Sequence, residues 1–127
     1  MPGTLLVTDD ALIIREMIKD TAAAAGWTIV GEATNGQEAI ERYRELRPDA
    51  MTLDMVMPGF DGLHAIDGIR SFDPAAKIVV VSALDQKEVL QSAFRRGASD
   101  FLIKPFDRGV LVATLEQVVG TTAALKT

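Results

Sequence analysis

The segment "KIVVV", residues 77–81, places four apolar residues in a row and leaves no alternate polar position for a solvent-facing side. Such a strand is typical of a parallel sheet that is covered by helices on both faces. The segments "DAMTL" (49–53) and "DFLI" (100–103) are apolar over most of their length. Two earlier segments, "TLLVT" (4–8) and "TIVGEA" (28–33), complete a set of five predicted strands.

Amphipathic segments follow these strands and predict five helices. The first two helices begin near Ala11 and at Asn35, and the others cover residues 62–72, 86–96 and 108–119. Their apolar residues recur at the spacing of a buried helix face. The alternation of strand and helix predicts an α/β fold, in which a doubly wound five-stranded parallel sheet lies between two layers of helices.

Five residues predict where helices begin or end. Asn35, with Glu38 three positions later, forms a capping box at the start of the second helix. Gly26, Gly97 and Gly120 stand where helix C-terminal caps belong, because glycine tolerates the left-handed backbone of that position. The glycines therefore predict ends for the first, fourth and fifth helices.

The composition limits the classes of function. A chain of 127 residues, 48% of them hydrophobic, is expected to form one domain over residues 1–127 with its own core. The net charge of −5 argues against a nucleic-acid surface, and the absence of cysteine excludes disulfides and thiolate metal sites. No apolar run approaches the ~20 residues of a membrane span, and the N-terminus does not have the pattern of a signal peptide. We therefore expect a cytoplasmic protein that binds neither nucleic acid nor membrane.

Charged and hydroxyl side chains follow four of the predicted strands. Asp9 and Asp10 come after the first strand, Asp54 after the third, Ser82 after the fourth and Lys104 after the fifth. Because ligands of open parallel sheets bind outside the carboxyl ends of the strands, these residues are expected to share one site. Each also has an ordinary alternative role: Asp10 or Ser82 as a helix cap, Asp54 as a turn residue and Lys104 as a solvated surface residue.

The charges of this set predict a metal ion. Two carboxylates about 4 Å apart repel by roughly 4 kcal/mol at an effective dielectric constant of about 20. Three carboxylates with one lysine therefore need a proton on one carboxylate or a cation among them. Oxygen ligands without histidine or cysteine suit Mg²⁺, which retains waters and bridges to phosphate. A carboxylate nucleophile, a lysine, a hydroxyl and Mg²⁺ together are the equipment of phosphoryl transfer.

Four motifs resemble the receiver domain of two-component response regulators: "TDDA" (8–11), "LDMVMPGFDG" (53–62), "VVSA" (80–83) and "GASDFLIKPF" (97–106). The stretch "GEATNGQEAIERYRELRPD", residues 31–49, is similar to the CheY-like regulators of chemotaxis in particular. The likeness covers residues 4–119. It implies a flavodoxin/CheY-like sandwich with strand order 2-1-3-4-5 and a protein that acts as a monomer.

The resemblance implies the chemistry of the site. Asp54 would receive a phosphoryl group from a phosphohistidine of a histidine kinase. Asp10 and Asp54 would bind Mg²⁺ directly, and Asp9 would act mainly through bound water. The backbone carbonyl of Val56 would be a further ligand. Apart from its own phosphorylation and dephosphorylation, such a protein is not an enzyme.

The resemblance also implies a switch. Lys104 would pair with the phosphoryl group, while Ser82 would turn its hydroxyl towards it and vacate space for Phe101. Phe101 stands where many chemotaxis members carry tyrosine, so it lacks the hydroxyl, and its alternative role is that of a plain core residue. The bond between Lys104 and Pro105 is cis in this family. The fourth helix, fifth strand and fifth helix would bind a downstream protein such as the flagellar motor switch.

Two positions depart from the pattern of the family, and the single histidine has no predicted role in the site. Val56 and Leu84 are apolar at positions where many members carry polar residues that orient the hydrolytic water. Slow dephosphorylation of Asp54 is therefore expected. His64, the single histidine, is expected on a helix surface without a role in the site.

Other functions are weighed against this one. A haloacid-dehalogenase-type phosphatase needs a second carboxylate two residues after its nucleophile, where this chain has Val56. A flavodoxin-like cofactor binder would meet repulsion between "TDDA" (8–11) and a flavin phosphate, and a dinucleotide fold would need a G-x-G-x-x-G motif. An interaction module with an inert pocket gains no support, because all the pocket residues are present. A phosphorelay intermediate that passes its phosphoryl group to a phosphotransfer protein and a receiver cut from a longer regulator remain alternatives.

Overall fold

A computed structural model describes residues 3–57, 59, 61–83 and 86–125, with side chains described as far as residue 120. Strand and helix alternate from one end to the other. In chain order the elements are β1 Thr4–Thr8, α1 Leu12–Ala24, β2 Thr28–Ala33, α2 Gly36–Leu46, β3 Ala50–Asp54, α3 Gly62–Phe72, β4 Ile78–Ala83, α4 Lys87–Arg95, β5 Asp100–Lys104 and α5 Arg108–Leu125. In this part of the chain, none of the helices has both the length and the apolar character to cross a bilayer.

The five strands form one parallel sheet with the order β2-β1-β3-β4-β5. This order confirms the predicted doubly wound architecture. The chain runs from β1 outward to β2 and then crosses to β3 on the other side of β1. A crevice therefore opens at the carboxyl ends of β1 and β3, which is where open α/β sheets bind ligands.

The sheet separates two apolar cores, because successive side chains of a strand point to opposite faces. Leu5 and Val7 of β1 pack with buried residues of α1 and α5, including Ile18 and Leu111. Leu6 packs on the opposite face with residues of α2, α3 and α4. Both faces of the central strands are thus covered, which explains why their sequences are apolar without alternation.

Three of the predicted helix boundaries are confirmed. Asn35 Oδ1 accepts a hydrogen bond from the backbone N–H of Glu38 at 2.9 Å and caps α2. The Glu38 carboxylate accepts the return bond from the N–H of Thr34 at 2.9 Å, one residue earlier than in the standard box. Gly26 and Gly97, with φ of +98° and +108°, adopt the left-handed conformation just after α1 and α4.

One boundary prediction is wrong, and so is the alternative role of Asp10 as a helix cap. Gly120 lies inside α5, which continues to Leu125. A single glycine costs a helix only about 1 kcal/mol relative to alanine, so it does not by itself end one. The N-cap of α1 is Ala11, which makes no side-chain cap bond, and the helix begins at Leu12. Asp10 is therefore not a helix cap.

Candidate functional site

The carboxyl edge of the sheet brings most of the predicted site residues together. Asp9 directly follows β1, Asp54 is the last residue of β3, and Lys104 is the last residue of β5. Asp9 and Asp54 are 1% and 5% exposed, whereas Asp10 is exposed. Because β1 pairs with β3, β3 with β4 and β4 with β5, these side chains lie at the same edge of the sheet.

The three aspartates form an acidic cluster. Asp9, Asp10 and Asp54 each offer one carboxylate oxygen, and these oxygens lie within 4.8 Å of one another. At that separation each charged pair repels by about 3.5 kcal/mol with an effective dielectric constant of about 20. The oxygen ligands and the surplus of negative charge fit a hard divalent cation such as Mg²⁺.

Lys104 supplies the positive charge of the cluster. Its Nζ lies 3.2 Å from Asp9 Oδ2 and 3.5 Å from Asp54 Oδ1. The side chain is 26% exposed and paired, so the alternative of an ordinary solvated lysine is wrong. One ammonium balances the charge of one of the three carboxylates. The negative charge that remains is what a divalent cation would balance. The peptide bond between Lys104 and Pro105 is cis.

The environment of Asp54 disfavours its negative charge. Burial, and then the neighbouring charge of Asp9, raise the pKa of the Asp54 carboxyl to about 6, with a smaller contribution from Asp10. Lys104 and the backbone N–H of Val56 act in the opposite direction on this pKa. A cation placed beside Asp54 would therefore favour the ionised, nucleophilic form.

Arg15 on α1 holds the backbone of the site, and sequence reasoning missed it. Its Nη1 donates to the carbonyl oxygen of Asp9 at 2.8 Å, and its Nε donates to Glu32 Oε1 on β2 at 3.0 Å. The Asp9 carboxylate also accepts a hydrogen bond from the N–H of Ala11 at 2.9 Å. A basic residue near the start of a helix, where the dipole disfavours positive charge, is the signal that could have identified Arg15.

Ser82 lies within β4 and is fully buried. Its hydroxyl lies 3.1 Å from Gln86 Oε1 and 3.2 Å from the carbonyl oxygen of Ala83. The N-cap of α4 is Gln86, so the alternative of Ser82 as a helix cap is wrong. Sequence reasoning did not single out Gln86, because its contact with Ser82 depends on the local backbone path.

Three other predicted residues, Phe101, Val56 and His64, lie outside the acidic cluster. Phe101 is 41% exposed and meets Phe94 edge to face, with ring centroids 5.7 Å apart, so its alternative as a core residue is wrong. Val56 is 52% exposed, and Leu84 lies outside the described residues. His64 is half-buried on α3, where its Nε2 lies 3.0 Å from Gln37 Oε1 of α2.

Comparisons with known proteins agree with this geometry. The sequence model of the response regulator receiver domain matches residues 5–116. Chemotaxis protein CheY of Thermotoga maritima is 46% identical over 118 residues, which are 93% of this chain and 98% of that protein. Chemotaxis protein CheY of Listeria monocytogenes is 42% identical over 113 residues, or 89% of this chain and 95% of that protein.

A solved structure shares the fold. The CheX-CheY-BeF₃-Mg²⁺ complex from Borrelia burgdorferi contains a chain that matches with a TM-score of 0.87 and 28% sequence identity. The match covers 93% of this chain and 90% of that one. The chain described here belongs to the response regulator receiver domain family and is closely related to the CheY chemotaxis proteins.

Proposed function

We propose that Asp54 is the phosphoacceptor of this receiver domain. The observation that carries the proposal is a buried carboxylate at a strand end, flanked by Asp9, Asp10 and Lys104. A carboxylate oxygen of Asp54 attacks the phosphorus of a phosphohistidine on a histidine kinase. The P–O bond to Asp54 forms while the P–N bond breaks, and the imidazole leaves with the bonding electrons.

The neighbouring side chains have separate roles in this transfer. Lys104, already within 3.5 Å of Asp54, would pair with the phosphoryl oxygens. Ser82 would donate its hydroxyl hydrogen to one of them. Asp10 and Asp54 would hold Mg²⁺ directly, Asp9 would act mainly through bound water, and the Val56 carbonyl would be a further ligand. Bound Mg²⁺ supplies positive charge against the phosphoryl oxygens.

A downstream partner would bind the surface formed by α4, β5 and α5, which would respond to phosphorylation of Asp54. Phe101 on β5 is exposed against Phe94 of α4. In this proposal, it would move inward when Ser82 turns towards the phosphoryl group and vacates space. Phenylalanine lacks a hydroxyl, so the inward position would gain apolar burial without a hydroxyl hydrogen bond. The kinship with chemotaxis proteins favours a downstream partner in chemotaxis, such as the flagellar motor switch.

The proposal treats residues 1–127 as one monomeric, cytoplasmic receiver domain. A phosphorelay intermediate, and a receiver that forms part of a longer regulator, would use the same chemistry with different partners. A haloacid-dehalogenase-type phosphatase gains no support, because Val56 is apolar at the position of its second carboxylate. The exposed apolar side chain of Val56 also supports slow hydrolysis of phosphorylated Asp54. A phosphorylated form that lasts only seconds would contradict that part of the proposal.

The test is intact-mass spectrometry after incubation with acetyl phosphate or phosphoramidate, with and without Mg²⁺. The expected result is one phosphoryl adduct in the native protein that requires Mg²⁺, and none in Asp54→Asn. An adduct that survives in Asp54→Asn would reject this residue as the acceptor. A folded protein without any adduct would reject the proposed function and favour an interaction module with an inert pocket.

A further inference from the structure

Gln86 makes contacts that the phosphoacceptor chemistry does not use. It lies at the N-cap of α4 and its side chain turns back to the end of β4. Gln86 Oε1 accepts a hydrogen bond from the backbone N–H of Ala83 at 3.0 Å and lies 3.1 Å from Ser82 Oγ. The N–H of Gln86 also donates to the carbonyl oxygen of Ala83 at 3.1 Å, which connects the start of α4 to the end of β4.

The hydrogen-bond chemistry fixes the direction of the contact with Ser82. A backbone N–H can only donate, so the Gln86 atom that faces Ala83 N must be the amide oxygen and not the amide nitrogen. The same oxygen faces Ser82 Oγ. A carbonyl oxygen can only accept, and the Ser82 hydroxyl is therefore the donor in this pair. The carbonyl oxygen of Ala83, 3.2 Å from Ser82 Oγ, is a second acceptor that shares the same hydroxyl hydrogen.

That direction makes two states of Ser82 mutually exclusive. A hydroxyl has one hydrogen, and phosphoryl oxygens are acceptors, so Ser82 cannot donate fully to Gln86 and to a phosphoryl group at once. Ser82 is fully buried, which leaves no bulk water to replace a bond that it gives up. The hydrogen bond to Gln86 therefore opposes the rotation of Ser82 towards phosphorylated Asp54.

We propose that Gln86 is a positioning residue that holds Ser82 in the unphosphorylated arrangement and thereby sets how readily the domain switches. The inference rests on the proposed function, since it assumes that Ser82 donates to the phosphoryl group. Gln86 itself touches neither the acidic cluster nor the phosphoryl group in this scheme. Its effect on the phosphoryl group would pass through Ser82, although Gln86 also accepts a hydrogen bond from the N–H of Ala83, and this dependence on Ser82 gives the inference a specific test.

The experiment measures the affinity for beryllofluoride in the presence of Mg²⁺ by isothermal titration calorimetry. Beryllofluoride bonded to a carboxylate oxygen presents fluorines where a phosphoryl group has oxygens. The variants are Gln86→Met, which keeps the side-chain length without the acceptor, Ser82→Ala, and the double variant. Gln91→Met, at an exposed position of the same helix, is the matched control.

Gln86→Met is expected to tighten binding by about 2- to 10-fold, the factor that corresponds to one neutral hydrogen bond. The effect should disappear in the Ser82→Ala background, because the double-mutant cycle cancels any change in the turn that is independent of Ser82. Gln86→Glu keeps an acceptor oxygen and should not tighten binding. Gln91→Met should match the native protein.

Weaker binding by Gln86→Met, or an equal effect with and without the Ser82 hydroxyl, would overturn the role of Gln86. These results leave the proposed function intact, provided that the native protein binds beryllofluoride and Asp54→Asn does not. A native protein that fails to bind beryllofluoride with Mg²⁺ would overturn both the phosphoacceptor and the Gln86 proposals. Coupling between Gln86 and Ser82, with tighter binding by Gln86→Met, would support both.

Discussion

The acidic cluster and the cluster around Asp73, a partly buried carboxylate, differ in how their charges are paired. Asp73 follows α3, and its Oδ2 accepts a hydrogen bond from the Tyr43 hydroxyl at 2.7 Å and lies 3.7 Å from Arg47 Nη1. Its Oδ1 accepts from the N–H of Ala75 at 3.1 Å. Both oxygens of Asp73 thus have donors, and the arrangement is stable as it stands.

The acidic cluster lacks that balance. Asp9 and Asp54, both buried, share the ammonium of Lys104, and the carboxylate of Asp10 adds a third negative charge beside them. Electrostatic repulsion there costs stability, whereas the charges around Asp73 add to it. The difference teaches that an unbalanced group of buried charges marks a place where a ligand completes the structure. A balanced one holds helices together.

The test with the largest expected effect removes one negative charge from each of the two clusters. Asp54→Asn removes repulsion with Asp9 and should raise the free energy of unfolding by about 2 kcal/mol without Mg²⁺. Asp73→Asn, the matched variant, removes a paired charge and should lower it. Urea denaturation in the presence of a chelator measures both. Added Mg²⁺ should stabilise the native protein more than Asp54→Asn, and destabilisation by Asp54→Asn without Mg²⁺ would break the comparison.

The cluster around Asp73 also predicts the effect of removing one hydroxyl group. Tyr43→Phe removes the donor to the Asp73 carboxylate and should lower the free energy of unfolding by about 1.5 kcal/mol, as expected for a hydrogen bond to a charged group. Urea denaturation measures the loss. Formation of the phosphoryl adduct on Asp54 should be unchanged and serves as the control. An unchanged unfolding free energy would show that Arg47 satisfies Asp73 Oδ2 without the Tyr43 hydroxyl.

Removal of a buried, uncharged polar atom that lacks a hydrogen-bond partner should also raise the free energy of unfolding, but by less than Asp54→Asn. Thr8, 1% exposed, has a buried Oγ1 without a hydrogen-bond partner within the described part of the chain. Thr8→Val should raise the free energy of unfolding by about 1 kcal/mol, because it removes a buried polar atom and keeps the shape.

Thr114 provides the control for Thr8. It is also buried, but its Oγ1 donates to the carbonyl oxygen of Val110 at 2.7 Å. Thr114→Val should therefore bring no gain in stability. Thermal or urea unfolding of the two variants compares a partnered with an unpartnered hydroxyl, and equal effects would remove the basis of the comparison.

The sequence was informative wherever a single element determines the outcome. The apolar run at 77–81 requires burial on both faces, and Asn35 caps α2 through a local bond, so both predictions are confirmed. Asp54 and Lys104 could be expected at one edge because parallel strands end together. Their distances, and the exposure of Phe101 against Phe94, depend on how separate elements pack and could not be read from the order of residues.

Contacts to backbone atoms were the least predictable. Arg15 supports Asp9 through a carbonyl oxygen, and Gln86 meets Ser82 beside a backbone N–H. Every residue offers these same backbone groups, so the sequence does not identify which one a side chain reaches. The prediction that Gly120 ends α5 failed for a related reason, since the neighbouring residues, rather than one glycine, decide whether the helix continues.

The smallest expected effect concerns Glu32 on β2. Its carboxylate pairs with Lys19 and with Arg15, and Arg15 in turn contacts the backbone of Asp9 in the acidic cluster. The hydrogen bond from Lys19 and, after an opposing contribution from burial, that from Arg15 lower the pKa of the Glu32 carboxyl below its ordinary value of 4.5. A folded-state pKa below the unfolded one gives stability that is present above pH 4.5 and is lost as the pH falls through the folded-state pKa.

The loss on acidification should be only a few tenths of a kcal/mol, because the Glu32 side chain is 36% exposed and solvent screens its ion pairs. Urea denaturation of the native protein and Glu32→Gln, at neutral pH and below the ordinary pKa, isolates this contribution. Glu116→Gln, at an exposed position of α5, is the control. A much larger loss that is specific to Glu32 would mean that its contact with Arg15 also holds Asp9 in place. The ion pairs of Glu32 would then support the acidic cluster.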